Sequence, residues 1–143
     1  MATTNQSNSK SALTDEEFQR LLELRTSLKQ YLRWNEHAAK DAGITPAQHE
    51  LLIAIKGHPG QQGPSISNIA QYLLLRHHSA VGLVDRAEKA GLLIRKTDGD
   101  DRRVVRLRLS PKANRVMDKL AALHAEELAR LSTKGQSLWK GLV

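Results

Sequence analysis

The chain has 143 residues, with 22 Lys+Arg against 15 Asp+Glu and a formal net charge of +7. That is one domain, or one domain with a helical arm, and the basicity points to an anionic partner. Apolar residues make up 40% but aromatics only 3%, which calls for an aliphatic core; with no cysteine, disulfides, thiolate nucleophiles, Cys-ligated zinc and Fe–S clusters are excluded. No run approaches the roughly 18 apolar residues of a membrane span, and residues 1–13 are polar with no hydrophobic signal region. The expectation is a cytoplasmic protein with no membrane partner.

The charge is unevenly spread. Residues 1–64 are neutral in sum, residues 65–112 carry +5, and residues 113–143 carry +2. Most of the excess therefore lies in one stretch, where it coincides with a structural unit.

Residues 1–13 read as a flexible tail with little to bury. Thr14-Asp15-Glu16-Glu17 fits a capping box opening a helix to about Lys40, with Phe18, Leu21, Leu22, Leu28, Tyr31, Leu32 and Ala39 as its apolar stripe and Gly43 as its stop. At about 26 residues this helix is long for so small a domain, so a monomer would struggle to cover it. Thr45-Pro46-Ala47-Gln48 starts a second helix to Gly57, with Leu51, Leu52, Ile53 and Ile55 expected to be buried. The Gly- and Pro-rich segment 57–64 is a loop. Ser65 caps a third helix with Ile66, Ile69, Ala70 and Leu73 inward; a fourth runs from about Arg76 to Ala90 and stops at Gly91.

After Gly91 the period changes from helix to strand. Leu92–Lys96 and Val104–Leu109 read as two strands of a hairpin joined by 97–103, with Val105, Leu107 and Leu109 on one face and Arg106 and Arg108 on the other as surface charges. Ser110-Pro111 opens a fifth helix to about Leu131, with Val116, Leu120, Leu123, Leu128 and Leu131 inward, and Thr133 caps a last helix bearing Leu138, Trp139 and Leu142. The fold class is mainly α with a small β-hairpin: a winged helix-turn-helix, whose fourth helix is the one that enters a DNA major groove. On that helix periodicity assigns Ala80, Leu83, Val84 and Ala87 to the core and leaves Arg76, His77, His78, Val81, Gly82 and Arg86 outward. Arg76, His77 and His78 can donate to guanine or phosphate, and Val81 can meet a thymine methyl; Ser79 completes the candidate set. Gly82 costs about 1 kcal/mol relative to Ala, a cost that a close approach of DNA or a neighbouring helix would explain.

Ser65-Ile66-Ser67-Asn68-Ile69-Ala70 and Val84-Asp85-Arg86-Ala87-Glu88-Lys89-Ala90-Gly91-Leu92-Leu93 resemble the DNA-binding core of the MarR family of bacterial transcriptional regulators. Asp101-Arg102-Arg103-Val104-Val105-Arg106-Leu107-Arg108-Leu109-Ser110 is similar to that family's D-x-R-x-x-x-V-x-L-T wing, with Leu107 for Val and Ser110 for Thr, and Asp98-Gly99-Asp100 before it resembles the D-P-x-D-R-R form. The resemblance implies a homodimer on a pseudo-palindromic double-stranded DNA operator, with residues 14–43 and 111–143 as dimerisation helices flanking a DNA-binding lobe at 44–110. It gives Arg103 the minor groove, Asp101 the task of orienting it, and Arg102 a phosphate or groove contact. One departure stands out: Leu74 occupies the turn before the recognition helix where the family usually has Gly, and either Leu74 or Leu75 is expected to pack inward.

The same resemblance implies a repressor released by a small effector, often an aromatic acid, with Trp34, His37, His49 and His124 as candidate contacts. The missing cysteine excludes thiol-based peroxide sensing. No cofactor is implied and no metal site is assigned. No enzyme motif is present: there is no phosphate loop, no H-E-x-x-H and no nucleophile elbow. Two alternatives stay open: a metal-responsive regulator using Glu36, His37, Asp41, His124 and Glu127, and a winged-helix adaptor that binds protein.

Overall fold

A computed structural model describes residues 12–130. The element order is α1 (Asp15–Asp41), α2 (Pro46–Gly57), α3 (Ile66–Tyr72), α4 (His77–Lys89), β1 (Leu93–Thr97), β2 (Val105–Leu109), α5 (Pro111–Lys119) and α6 (Ala121–Arg130). Residues 1–11 of the expected tail and the helix expected after Thr133 lie outside the described residues.

Helix starts follow the capping chemistry in the sequence. The Thr14 Oγ1 accepts from the Glu17 amide at 3.1 Å while the Glu17 carboxylate accepts from the Thr14 amide at 3.2 Å. Reciprocal boxes of the same form close Thr45 on Gln48 and Ser65 on Asn68, and Ser110 caps α5 alone. Helix ends share a motif too. After α1 the Gly43 and Ile44 amides donate back to the Lys40 and Ala39 carbonyls; after α4 the Gly91 and Leu92 amides donate to Glu88 and Ala87. Both are Schellman closures with a left-handed glycine, φ +80° at Gly43 and +76° at Gly91. α3 closes the same way, Leu74 to Gln71 and Leu75 to Ala70, but here the left-handed residue is Leu74, at φ +54°. Leu74 is 93% exposed whereas Leu75 packs on the core, which settles which of the two turns inward.

The chain forms two compact units, one ending at Arg33 and the other beginning at Trp34. The first holds the leading part of α1, whose expected apolar stripe is uncovered: Phe18 is 54% exposed and Leu22 66%. The second is built on an aliphatic core, as the composition predicts. Leu51, Leu52, Ile69, Val84, Leu92 and Leu107 are fully buried there, together with Ala38 and Ala39 from the end of α1. Ile53, expected inside, is exposed because it lies one residue past the inward pair Leu51–Leu52 on the opposite face of α2.

β1 and β2 pair antiparallel in the register Leu93↔Leu109, Arg95↔Leu107, Thr97↔Val105. β1 starts one residue later than expected, since the Leu92 amide still closes α4. The single expected fifth helix is broken at Leu120 into α5 and α6, and Leu128, expected inward, is exposed; Leu131 lies outside the described residues. Among the described residues no helix is long and apolar enough to cross a membrane.

Candidate nucleic-acid interface

α3, the tight turn at Leu74 and α4 form the helix-turn-helix, and α4 holds itself to the core by Ala80, Leu83, Val84 and Ala87, the four residues its periodicity selects. This fixes what faces out. His77, His78 and Arg86 are exposed, whereas Ser79, Val81 and Gly82 are half-buried rather than fully outward. Arg76 is not a helical residue but the N-cap, with extended backbone and no side-chain capping bond, so its guanidinium leaves from the turn. Within the chain, the group nearest Gly82 is a side chain of its own helix. A Cβ there would lie 3.2 Å from Arg86 Nη1, one turn further on, so the bare backbone lets that guanidinium fold back along the helix.

The hairpin follows from the other side of α4. Arg95 shares a sheet face with Leu93 and Leu107 and reaches the Asp85 and Glu88 carboxylates, tying β1 to α4. At the tip, Asp101 Oδ1 accepts from the Arg103 amide at 3.0 Å and from its Nε at 3.1 Å, while Oδ2 accepts from the guanidinium NH2 at 3.3 Å. The Arg103 side chain is otherwise open to solvent, 91% exposed. The Arg103 bonds, side-chain first and backbone second, hold the Asp101 carboxyl below its ordinary range.

Arg106 is not the free surface charge its alternation suggests. It donates to Asp98 Oδ2 from Nε at 3.3 Å and from NH2 at 3.2 Å; the arginine side chain is 26% exposed and the aspartate 7%. Asp98 Oδ1 meanwhile accepts from the Asp100 amide at 3.0 Å. That backbone bond, ahead of Arg106, lowers the Asp98 carboxyl against the opposing effect of burial. Sequence reasoning missed this pair. Its signal was available: Asp98 and Arg106 fall on the same sheet face, two positions apart across the ladder.

The acids of the basic stretch are thus largely committed. Asp85 and Glu88 serve Arg95, Asp98 serves Arg106 and Asp101 serves Arg103. Among the described residues, no ion pair engages Arg76, Arg86, Lys89, Lys96, Arg102 or Arg108, so the uncompensated positive charge sits around α4 and the hairpin.

The four candidate effector contacts differ in exposure, and two of them meet. His37 is exposed and Trp34 half-buried, while His49 is fully buried and faces His124, Nε2 to Nε2 at 2.8 Å with rings stacked at 5.1 Å. Burial, then the neighbouring His124, pushes the His49 imidazole below its ordinary value, and Glu127 partly offsets this. His49 Nδ1 is buried with no hydrogen-bond partner, as is Asn35 Oδ1 on α1. Asn35 was also missed, although a lone amide at the 35, 38, 39 register of an apolar helix face marks it. His124 is thus engaged with α2, and among the described residues no group of three or more His, Cys, Asp or Glu could hold a metal ion.

Helix, tight turn, second helix and antiparallel hairpin around one aliphatic core define a winged helix-turn-helix protein. Residues 42–104 match the model of the MarR family. An uncharacterized HTH-type transcriptional regulator of Bacillus subtilis (strain 168), YkoM, is 28% identical over 123 residues, covering 83% of this chain and 78% of its own. The transcription regulator MarR of Oenococcus oeni PSU-1 superposes with a TM-score of 0.68 at 20% identity, over 82% of this chain and 85% of the other. CouR of Rhodococcus jostii RHA1, bound to p-coumaroyl-CoA, gives 0.64 at 22% identity over 78% and 76%. A point mutant of MepR from S. aureus, bound to an oligodeoxyribonucleotide, gives 0.59 at 19% over 86% and 85%. The fold is that of MarR-family transcription regulators.

Proposed function

We propose that this chain is a sequence-specific, double-stranded DNA-binding transcriptional regulator of the cytoplasm, acting as a homodimeric repressor that a small effector releases. The observation that carries the reading is the distribution of charge. Four of the five acids within the basic stretch are bound up in named pairs, leaving the cations around α4 and the hairpin tip largely uncompensated. His77, His78 and Arg86 project from a helix shaped for a major groove, with Arg76 at its start and Ser79, Val81 and Gly82 along its flank. Arg103, steadied by Asp101 and flanked by Arg102, suits a narrow minor groove, where negative potential is concentrated. The DNA-bound MepR structure, of the same fold, supports this mode.

The uncovered stripe of α1 supports the dimer: Phe18, Leu22 and Leu32 are large apolar side chains left in water, which a second copy would cover. For the effector, the His49–His124 pair is the best candidate contact, because a ligand donor or acceptor would satisfy the orphan His49 Nδ1. The p-coumaroyl-CoA seen with CouR supports an aromatic acid derivative as the ligand class. Trp34 and His37 are secondary candidates.

The test is a titration of purified protein on a fluorescent duplex at increasing salt. Binding should weaken steeply, with a log–log slope of about −0.9 for each phosphate neutralised. Arg103→Ala should weaken it by about 1–3 kcal/mol. Salt-insensitive association, or no association, would remove the DNA reading.

A further inference from the structure

We propose that Asp98 and Arg106 form a latch across the stem of the hairpin that sets where Arg103 points, making both of them positioning residues for duplex binding; this rests on the DNA-binding reading above. A continuous hydrogen-bond path supports it. Asp98 Oδ2 accepts from Arg106 on β2, its Oδ1 from the Asp100 amide, and its own amide donates to the Val104 carbonyl at 2.9 Å. The Val104 amide then donates to the Asp101 carbonyl at 3.0 Å, and Asp101 in turn holds the amide and guanidinium of Arg103. The Asp98 carboxylate, nearly buried, thus joins Arg106 to the Asp100 amide at the base of the tip, one step along the chain from the Asp101 that holds Arg103.

The pair also resolves an electrostatic conflict. The register sets Lys96 directly opposite Arg106, and like charges at that separation push the strands apart. Asp98 lies two residues on from Lys96 on the same face and supplies the missing negative charge at the point where the ladder ends. Arg103 has no such anchor of its own beyond Asp101, so its direction is inherited from the stem.

This assignment predicts a sign that simple charge counting does not. Asp98→Asn removes a negative charge from a protein of net +7, and Coulomb attraction alone would then tighten its hold on DNA. The substitution keeps Oδ1 for the Asp100 amide but puts an NH2 against the Arg106 guanidinium, setting donor against donor. The experiment compares full-length parent, Asp98→Asn, Arg103→Ala and the double variant on A·T-rich and G·C-rich duplexes of equal length. A latch predicts about tenfold weaker binding of Asp98→Asn to the A·T-rich duplex and loss of the A·T preference. The salt slope stays unchanged, and the double variant is no weaker than Arg103→Ala alone. Amide hydrogen exchange at Asp98 and Asp100 should rise while α2 and α4 stay protected.

Binding by Asp98→Asn as tight as the parent or tighter, or effects that add to those of Arg103→Ala, would overturn the latch. A parent that binds neither duplex would instead overturn the DNA reading itself. Should Asp98→Asn fail to fold, Arg106→Lys keeps the charge and loses the two-nitrogen contact, and the same outcomes apply.

Discussion

Leu74→Gly should make this protein more stable. Leu74 takes the left-handed position of the Schellman closure after α3 at φ +54°, the place held by glycine after α1 and α4. For an L-residue that conformation costs roughly 1–2 kcal/mol, through the approach of Cβ to the following carbonyl. Its side chain is almost wholly in water, so the substitution removes little buried area. Against the relief stands the larger conformational freedom of glycine in the unfolded chain, about 0.4–1 kcal/mol. The difference is a gain of about 0.5–1 kcal/mol, or roughly 2–4 °C in Tm for a chain near this size. Urea unfolding at fixed protein concentration, with unchanged m-value, measures it. A β-branched replacement, Leu74→Val, should go the other way, because it fits the left-handed region worst. A loss of 1 kcal/mol or more in Leu74→Gly would refute the reasoning: it would mean that the leucine side chain is covered in the working molecule and that its burial, not strain, decides the position.

Other consequences follow from the same contacts. The His49 imidazole lies below its ordinary value because of burial, so the unfolded chain takes up a proton first as pH falls through about 6.5. Stability should therefore be full above that pH and decline below it, and His49→Gln should flatten the profile between pH 7.5 and 5.5; a parental profile already flat there would contradict the burial. Leu107→Ala, at a fully buried strand position, should cost about 2–5 kcal/mol by denaturant unfolding, and a cost under 1 would place it outside the core. Replacing Phe18 and Leu22 together by Glu should shift sedimentation from dimer to monomer while helix content holds; an unchanged dimer would remove α1 from the interface.

The lobe was legible in the sequence because its signals are local. Capping boxes at Thr14, Thr45 and Ser65 and stops at Gly43 and Gly91 mark the helix ends through bonds between near neighbours, and the 3.6-residue period gave the buried set of α4 without omission. What escaped depends on strand register or on partners distant along the chain. Alternation placed Arg106 on the outer strand face, which is correct, but could not show that Asp98 is folded beneath it. The break at Leu120 has no glycine or proline to announce it. His49 and His124 are 75 residues apart, so nothing in either segment declares that their rings stack. At Gly82 the group within the chain that a Cβ would crowd is the Arg86 guanidinium, four residues on, which the glycine alone does not announce.

The claim that this is a dimeric, sequence-reading DNA-binding regulator is tested most directly by selecting bound duplexes from a random library with the purified protein. Two copies, each placing α4 in a major groove, should recover an inverted repeat whose half-sites are centred about one helical turn, roughly 10 bp, apart. Recovery of a single half-site would contradict the dimer, and a pool that stays random after repeated rounds would contradict DNA recognition and leave the winged helix as a protein-binding adaptor.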